Sequence, residues 1–222
     1  MFDYEGRYRR LRELGLEGWR GADDGRGLSR LTDVLNWLEK NHLPRPPARV
    51  LELGCGNGYS ASLLMARKGF EVCGVDVSRT AIEWARELFL AESVRGTFLV
   101  GDVCEMPFFG ESVFDVVVDG SCLHCLVGGQ RSRCLVEVRR ILRQQGLFIV
   151  SSMCGAPKSD EAKAHFDEEA KQLLQNGVPY RTLKPLDELE DEVTGAGFAV
   201  RHRRINVNSW WDHVTLVCTP SV

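Results

Sequence analysis

The residues with the sharpest chemical meaning are Glu52-Leu53-Gly54-Cys55-Gly56-Asn57-Gly58. Glycines at alternate positions let a backbone turn tightly and approach a bound ligand where a side chain would stand in the way. An apolar, β-branched run precedes them and a helical pattern follows, so a ligand at this turn would face a helix N-terminus. A dinucleotide fingerprint, the mark of an oxidoreductase, is spaced G-x-G-x-x-G, and its third glycine would fall on Tyr59. The spacing here is G-x-G-x-G behind an acidic residue; alone, it also describes a plain strand-to-helix turn.

A second group, Asp119-Gly120-Ser121-Cys122-Leu123-His124-Cys125, follows the apolar run Val116-Val117-Val118. In open α/β sheets ligands bind beyond the carboxyl ends of the strands. Asp119 at the strand end is therefore placed to line a pocket. His124 is placed to act as a general base or to orient an acceptor, or else to brace the loop through a backbone bond. Cys122, His124 and Cys125 invite a zinc reading, but zinc needs three or four converging ligands and no second C-x-x-C or H-x-x-x-H pair exists. Cys154 or His165 would have to complete the set, so no metal is expected and the thiols read as small buried hydrophobes.

The elements that must position these groups alternate. Strand-like runs at Arg49 to Leu53, Glu71 to Val75, Thr97 to Val100, Phe114 to Val118 and Leu147 to Ser151 are apolar enough for burial on both faces. Helical patterns run from Tyr59 to Lys68, from an N-cap at Ser78 through Phe89, and near Arg131 to Leu142. The opening turn at Tyr59 to Ala61 would offer backbone N–H groups to an anion. A stretch at about 155–183 reads as an insertion on the substrate side holding one amphipathic helix near Asp160 to Gln175. A helix at Leu186 to Thr194 and strands Phe198 to Ile205 and His213 to Cys218 follow; their seven-residue connection is too short for a parallel crossover. The expected fold class is α/β, a three-layer doubly wound sheet of seven mostly parallel strands with the last strand antiparallel.

Residues 1–47 read as an N-terminal helical cap, with Leu28, Leu31, Leu35 and Leu38 at helical spacing before Pro44, Pro46 and Pro47; residues 48–222 read as the main domain. Aromatic residues on the cap (Tyr4, Tyr8, Trp19) and the insertion (Phe166, Tyr180), with Met153, Cys154, His165 and Arg181, could close over a small ligand or simply pack the cap down. Trp210 and Trp211 fit a dimer contact or burial equally well.

The chain of 222 residues is 44% hydrophobic and 27% charged, which suits one packed domain and excludes a disordered chain. A formal net charge of -3 argues against nucleic acid as a partner. The absence of a long apolar run or signal core argues against a membrane. The eight cysteines read as reduced thiols, and the expectation is a cytoplasmic monomer or homodimer.

In this order the motifs resemble those of the class I S-adenosylmethionine-dependent methyltransferases, over about Ala48 to Thr219. The resemblance implies S-adenosyl-L-methionine as cofactor, held by Glu52, Gly54, Cys55, Gly56 and Gly58. It places Asp76 of Gly74-Val75-Asp76-Val77-Ser78, with Val77 beside it, against the ribose hydroxyls, since a carboxylate accepts two bonds from a vicinal diol. It gives Asp102 the adenine amine and Val103 the adenine ring, and it makes Phe114 to Gly120 the fourth motif, with Asp119 at the cofactor and catalytic positions alongside His124. Leu142-Arg143-Gln144-Gln145-Gly146 departs from the family's L-x-P-G-G turn. An N-P-P-Y step, common in nucleic-acid amino methylation, is missing, and a small-molecule acceptor is implied. A non-catalytic cofactor-binding relative and an NAD-dependent oxidoreductase are the competing readings.

Overall fold

In the computed structural model, residues 2–19 and 26–221 are described. The side chains of Leu28 and Leu31 lie outside the described residues. The chain opens with α1 (Tyr4–Glu13) and α2 (Arg26–Asn41), then alternates β1 (Arg49–Leu53), α3 (Ala61–Arg67), β2 (Glu71–Asp76), α4 (Arg79–Ala91), β3 (Gly96–Val100) and β4 (Phe114–Asp119). A single 3-10 turn at Leu123–Cys125 leads to α5 (Gln130–Ile141) and β5 (Leu142–Cys154). After the insertion come α7 (Leu186–Gly195), β9 (Phe198–Asn206) and β10 (Asp212–Pro220).

Seven strands form one sheet in the order β3-β2-β1-β4-β5-β10-β9. β1 pairs in parallel with both β2 and β4, so Leu53 stands level with Val75 on one side and Asp119 on the other. Strand order reverses there, and the crevice beyond these strand ends is where such sheets hold ligands. β10 is the reversed strand; it lies second from the edge, antiparallel to β5 and β9. Among the described residues no helix is long and apolar enough to cross a membrane.

Alternation along each strand sends side chains to opposite layers. Val50, Val116, Val118 and Ile149 meet Leu35 and Leu38 of α2 and Met65 of α3 on one face. Leu51, Val117, Phe148 and Val150 meet Leu135 and Val138 of α5 and Leu189 and Val193 of α7 on the other. α2 is therefore part of a helical layer, whereas Tyr8 and Leu11 of α1 pack with Ala81 of α4.

Two expectations need correction. β5 begins at Leu142, not Leu147, because Arg143 to Gly146 continue extended instead of turning. The helix expected from Asp160 to Gln175 stops early: α6 is Asp160–Ala164, and β6 (Phe166–Asp167), β7 (Gln172–Gln175) and β8 (Val178–Thr182) form a three-stranded antiparallel sheet. Gln175 pairs with Val178 across the two-residue turn Asn176-Gly177, where φ is 53° and 75°. Successive positive φ values define the type I′ hairpin turn that an Asn-Gly pair favours, and they stop a helix.

Candidate functional site

β1 delivers the glycine turn to the crevice. Gly54, Gly56 and Gly58 have φ of 59°, 54° and 72°. A Cβ on Gly54 would come within 2.7 Å of Cys122 Cβ, and one on Gly56 within 2.3 Å of the Tyr8 hydroxyl, so neither position has room for a side chain. The turn thus touches the segment after β4 on one side and α1 on the other.

Glu52 sits beneath the turn, 1% exposed. Its carboxylate accepts from Ser60 Oγ at 2.8 Å and from Ser62 through both N–H, at 2.7 Å, and hydroxyl. Ser60 itself makes no capping bond to α3. Glu52 therefore satisfies the opening donors of α3, which sequence reasoning had offered to a ligand, and it positions the turn from below. Burial raises its carboxyl against these donors. Cys55 also points inward, packing with Ile82, Ala85, Phe89 and Phe98.

Asp76 ends β2 and is nearly buried. One oxygen accepts from Gly56 N and the other from Ser78 N, both at 2.9 Å, tying the glycine turn to the start of α4. Burial raises its carboxyl despite these donors. Each oxygen keeps a lone pair for a further donor. Val77, next along, is 53% exposed, an apolar surface beside that carboxylate. Asp102 is exposed and uses Oδ1 to accept from Cys104 N at 2.8 Å, while Val103 is buried in the main core rather than open to the crevice.

Asp119 is wholly buried. Its Oδ1 accepts from Cys122 N at 2.6 Å and Leu123 N at 2.8 Å, and Oδ2 accepts from Ser151 N at 3.2 Å. Burial outweighs these bonds and lifts its carboxyl to about 6. This carboxylate shapes the turn after β4 and does not open onto the crevice. His124, 3% exposed, accepts from Met153 N at Nδ1 at 3.4 Å and stands edge-on to His213 at 5.8 Å. Burial, with the cations Arg181 and Arg131 and His213 nearby, pushes its imidazole well below the usual range, so it is neutral at physiological pH.

Cys122, His124 and Cys125 diverge: Cys122 faces Gly54, His124 faces β5, and Cys125 meets the insertion. Among the described residues no three metal-ligating side chains converge. Tyr4 and Arg181 both donate to the Cys125 thiol, Arg181 Nη1 at 3.3 Å. Met153 packs with Ala162, Leu173 and Leu183, seating the insertion on the end of β5, with Trp211 against that cluster and Trp210 44% exposed.

Two contributors escaped sequence reasoning. Glu5 accepts from Ser78 Oγ at 2.7 Å, Thr80 N at 3.1 Å and Thr80 Oγ1 at 2.7 Å, holding α1 on the N-terminus of α4. Burial alone would raise its carboxyl, but Thr80, Ser78 and Arg9 outweigh that and hold it at about 2. The available signal was that the first turn of α4 has no acid of its own. Arg131, 3% exposed, bonds Glu192 of α7 through Nε at 2.8 Å and the Leu123 carbonyl through Nη1 at 2.6 Å, bracing the 3-10 turn from behind.

A family model described as a methyltransferase domain matches residues 50–146. A probable S-adenosylmethionine-dependent methyltransferase of Mycobacterium tuberculosis is 36% identical over 128 residues, 54% of this chain and 44% of that protein. The eEF1A lysine and N-terminal methyltransferase of Bos taurus is 27% identical over 132 residues, 56% of this chain and 19% of that protein. The chain thus spans less than half the length of either relative. The crystal structure of Burkholderia thailandensis 1,6-didemethyltoxoflavin-N1-methyltransferase, with bound 1,6-didemethyltoxoflavin and S-adenosylhomocysteine, superposes with a TM-score of 0.70 at 21% identity, over 99% of this chain and 86% of that one.

Proposed function

We propose, on the premise that residues 50–146 form a methyltransferase domain of the class I, S-adenosylmethionine-dependent family, that this protein transfers a methyl group to a small-molecule acceptor. The observation that carries this reading is the glycine turn itself. Its positive-φ backbone is locked by Asp76 at the switch between β1 and β4, with no space for side chains at Gly54 or Gly56.

The residues present fit an adenosyl sulfonium. Asp76 has lone pairs for a ribose diol, exposed Val77 offers an apolar wall to a base, and the exposed Asp102 carboxylate can accept from an amine. When bound, the cofactor would supply a methyl carbon on a positive sulfur, which an acceptor lone pair could take as the carbon–sulfur electron pair returned to sulfur as a neutral thioether. This chain's contribution is positioning. Glu52 and Asp119 fix the turns after β1 and β4 from within, while Tyr8 on α1 lies against the glycine turn and Tyr4 and Arg181 meet at Cys125. The packed rings of Phe2, Tyr4 and Tyr180 beside Cys125 favour a small acceptor. His124, neutral, is the base we assign where the acceptor must lose a proton, acting through Nδ1, the ring nitrogen that Met153 N–H occupies at 3.4 Å and would have to release.

Calorimetric titration tests the reading: S-adenosylhomocysteine should bind the wild type and NAD should not. Gly56→Val, which puts a branched side chain where Tyr8 already sits, should abolish that binding while leaving a folded protein. NAD binding would return the chain to the oxidoreductases; normal binding by the valine variant would reduce the motif to a turn.

A further inference from the structure

Arg181 is the unusual cation of the site. Several basic side chains have carboxylates, Arg131 and Lys184 sharing Glu192, Lys158 holding Asp212 and Arg12 holding Glu87, while the exposed Arg7 lies over Trp19. Arg181 is half-buried on β8, and its partners are the Cys125 thiol at 3.3 Å and the face of Tyr180, 5.5 Å from ring centroid to guanidinium. Among the described residues no carboxylate stands within 4.0 Å of it. A guanidinium carries five N–H donors in a planar fork, and a thiol is a weak acceptor for one of them. Donors of the fork not used by the thiol are therefore available to an oxyanion.

Its location is equally specific. Thr182, the next residue, donates to the Leu126 carbonyl at 2.8 Å, so β8 is pinned to the turn that follows β4. Cys125, which Arg181 touches, is three residues from Cys122, which lies against Gly54. The guanidinium therefore meets the same short segment after β4 that packs on the glycine loop. Over it lies an aromatic roof: Tyr180 meets Phe2 at 6.2 Å, Phe2 meets Tyr4 at 4.8 Å, and Tyr4 meets Trp19 at 5.8 Å. A planar cation beneath flat rings matches a flat ligand with an anionic edge.

We propose that Arg181 is the specificity-determining residue for the acceptor and that the acceptor is a small aromatic acid, its carboxylate held by the guanidinium fork and its ring by Tyr180, Tyr4 and Phe2. The assignment rests on the methyltransferase reading above. It makes the carboxylate the handle and leaves a different lone-pair atom of the same molecule to take the methyl group.

The test uses the full chain with S-adenosylhomocysteine bound and three probes: 4-hydroxybenzoate, 4-hydroxybenzamide and phenyl phosphate. Calorimetry should show the acid binding at least tenfold tighter than the amide, the scale of one charge-assisted hydrogen bond. In Arg181→Met the two should bind equally weakly, with S-adenosylhomocysteine affinity and melting temperature unchanged, and Arg181→Lys should restore part of the preference. Equal binding of acid and amide by the wild type, or a preference retained in Arg181→Met, would overturn the proposal. Tighter binding of phenyl phosphate would replace the carboxylate by a phosphate ester. Failure of S-adenosylhomocysteine to bind the wild type is a separate reading: it defeats the methyltransferase assignment first, and this one with it.

Discussion

The hydroxyl of Tyr8 lies over Gly56, 2.3 Å from where a Cβ on that glycine would stand. One residue belongs to the N-terminal helix and the other to the loop that would carry the cofactor. Burial and the nearby Asp76, Cys55 and Glu52 hold the phenol protonated far above its usual range. A ligand reaching the Gly56 backbone must therefore displace or share space with this ring, and α1 must respond to binding.

Trp19, with its ring 5.4 Å from that of Tyr8, is a built-in reporter of the response. Adding S-adenosylhomocysteine should change Trp19 fluorescence in the wild type, and Trp19→Phe should lose that signal. A tryptophan spectrum that stays flat through saturation measured by calorimetry would show that α1 does not move.

Removing the Asp76 carboxylate should act twice. Asp76→Ala deletes the acceptor for Gly56 N and Ser78 N as well as the proposed ribose contact. Cofactor affinity should fall at least tenfold and stability by about 1–3 kcal/mol, the cost of leaving buried donors unmet. Titration of a folded variant with undiminished affinity would remove Asp76 from the site.

Acid should expose the burial of His124. Its folded pKa lies well below the 6.5 of an exposed imidazole, so the unfolded chain takes up the proton first and stability falls as pH drops below 6.5. Asp119 works the other way, being lifted to about 6 from 3.8: the native state holds its proton longer, and stability is lost as pH rises through that interval. His124→Gln should therefore lose less melting temperature between pH 6.5 and 5 than the wild type. If His124 is also the base, turnover should fall by roughly 10² to 10⁴ in the variant. The acid limb of the wild-type pH–rate profile should then lie below pH 6.5. Identical pH–rate profiles would make His124 a brace alone.

Glu5 should behave as the latch of α1. With its folded pKa at about 2 against 4.5, its contribution is complete above pH 4.5 and is lost as pH falls toward 2. Glu5→Ala removes the bonds to Ser78 and Thr80 and should cost about 1 kcal/mol, typical of a lost cap. Limited proteolysis should then cut within residues 2–19 faster while sparing the sheet. Unchanged cleavage would mean that Tyr8 and Leu11 hold α1 unaided.

Much of this architecture was legible because strands buried on both faces leave a plain mark: Val116-Val117-Val118 admits little else. The glycine turn and Asp76 were legible because both sit where a strand must end. What escaped was nonlocal. Glu5 meets Thr80 across 75 positions, and Arg131 meets Glu192 across 61, with nothing in either neighbourhood to announce the pairing. Asp119 was placed correctly in the chain but misjudged in orientation, since a strand-end carboxylate can face a cavity or the backbone of its own turn, and three N–H groups won it. The lost helix at Asp160 to Gln175 is different: Asn176-Gly177 was a visible hairpin signal, outweighed by an apolar spacing that fits both periods.

The position of β10 sets an order on the making of the molecule. Because it is hydrogen-bonded to β5 on one side and β9 on the other, β9 has no partner in the sheet until residues 212–220 exist. On a ribosome, β1 to β5 can pair in sequence as they emerge, but α7 and β9 must wait beside an open edge at β5. A chain cut short before Asp212 would lose two strands for the length of one and leave the backbone N–H and C=O groups of β5 from Phe148 to Cys154 unpaired, a bare edge of the kind that seeds association between copies.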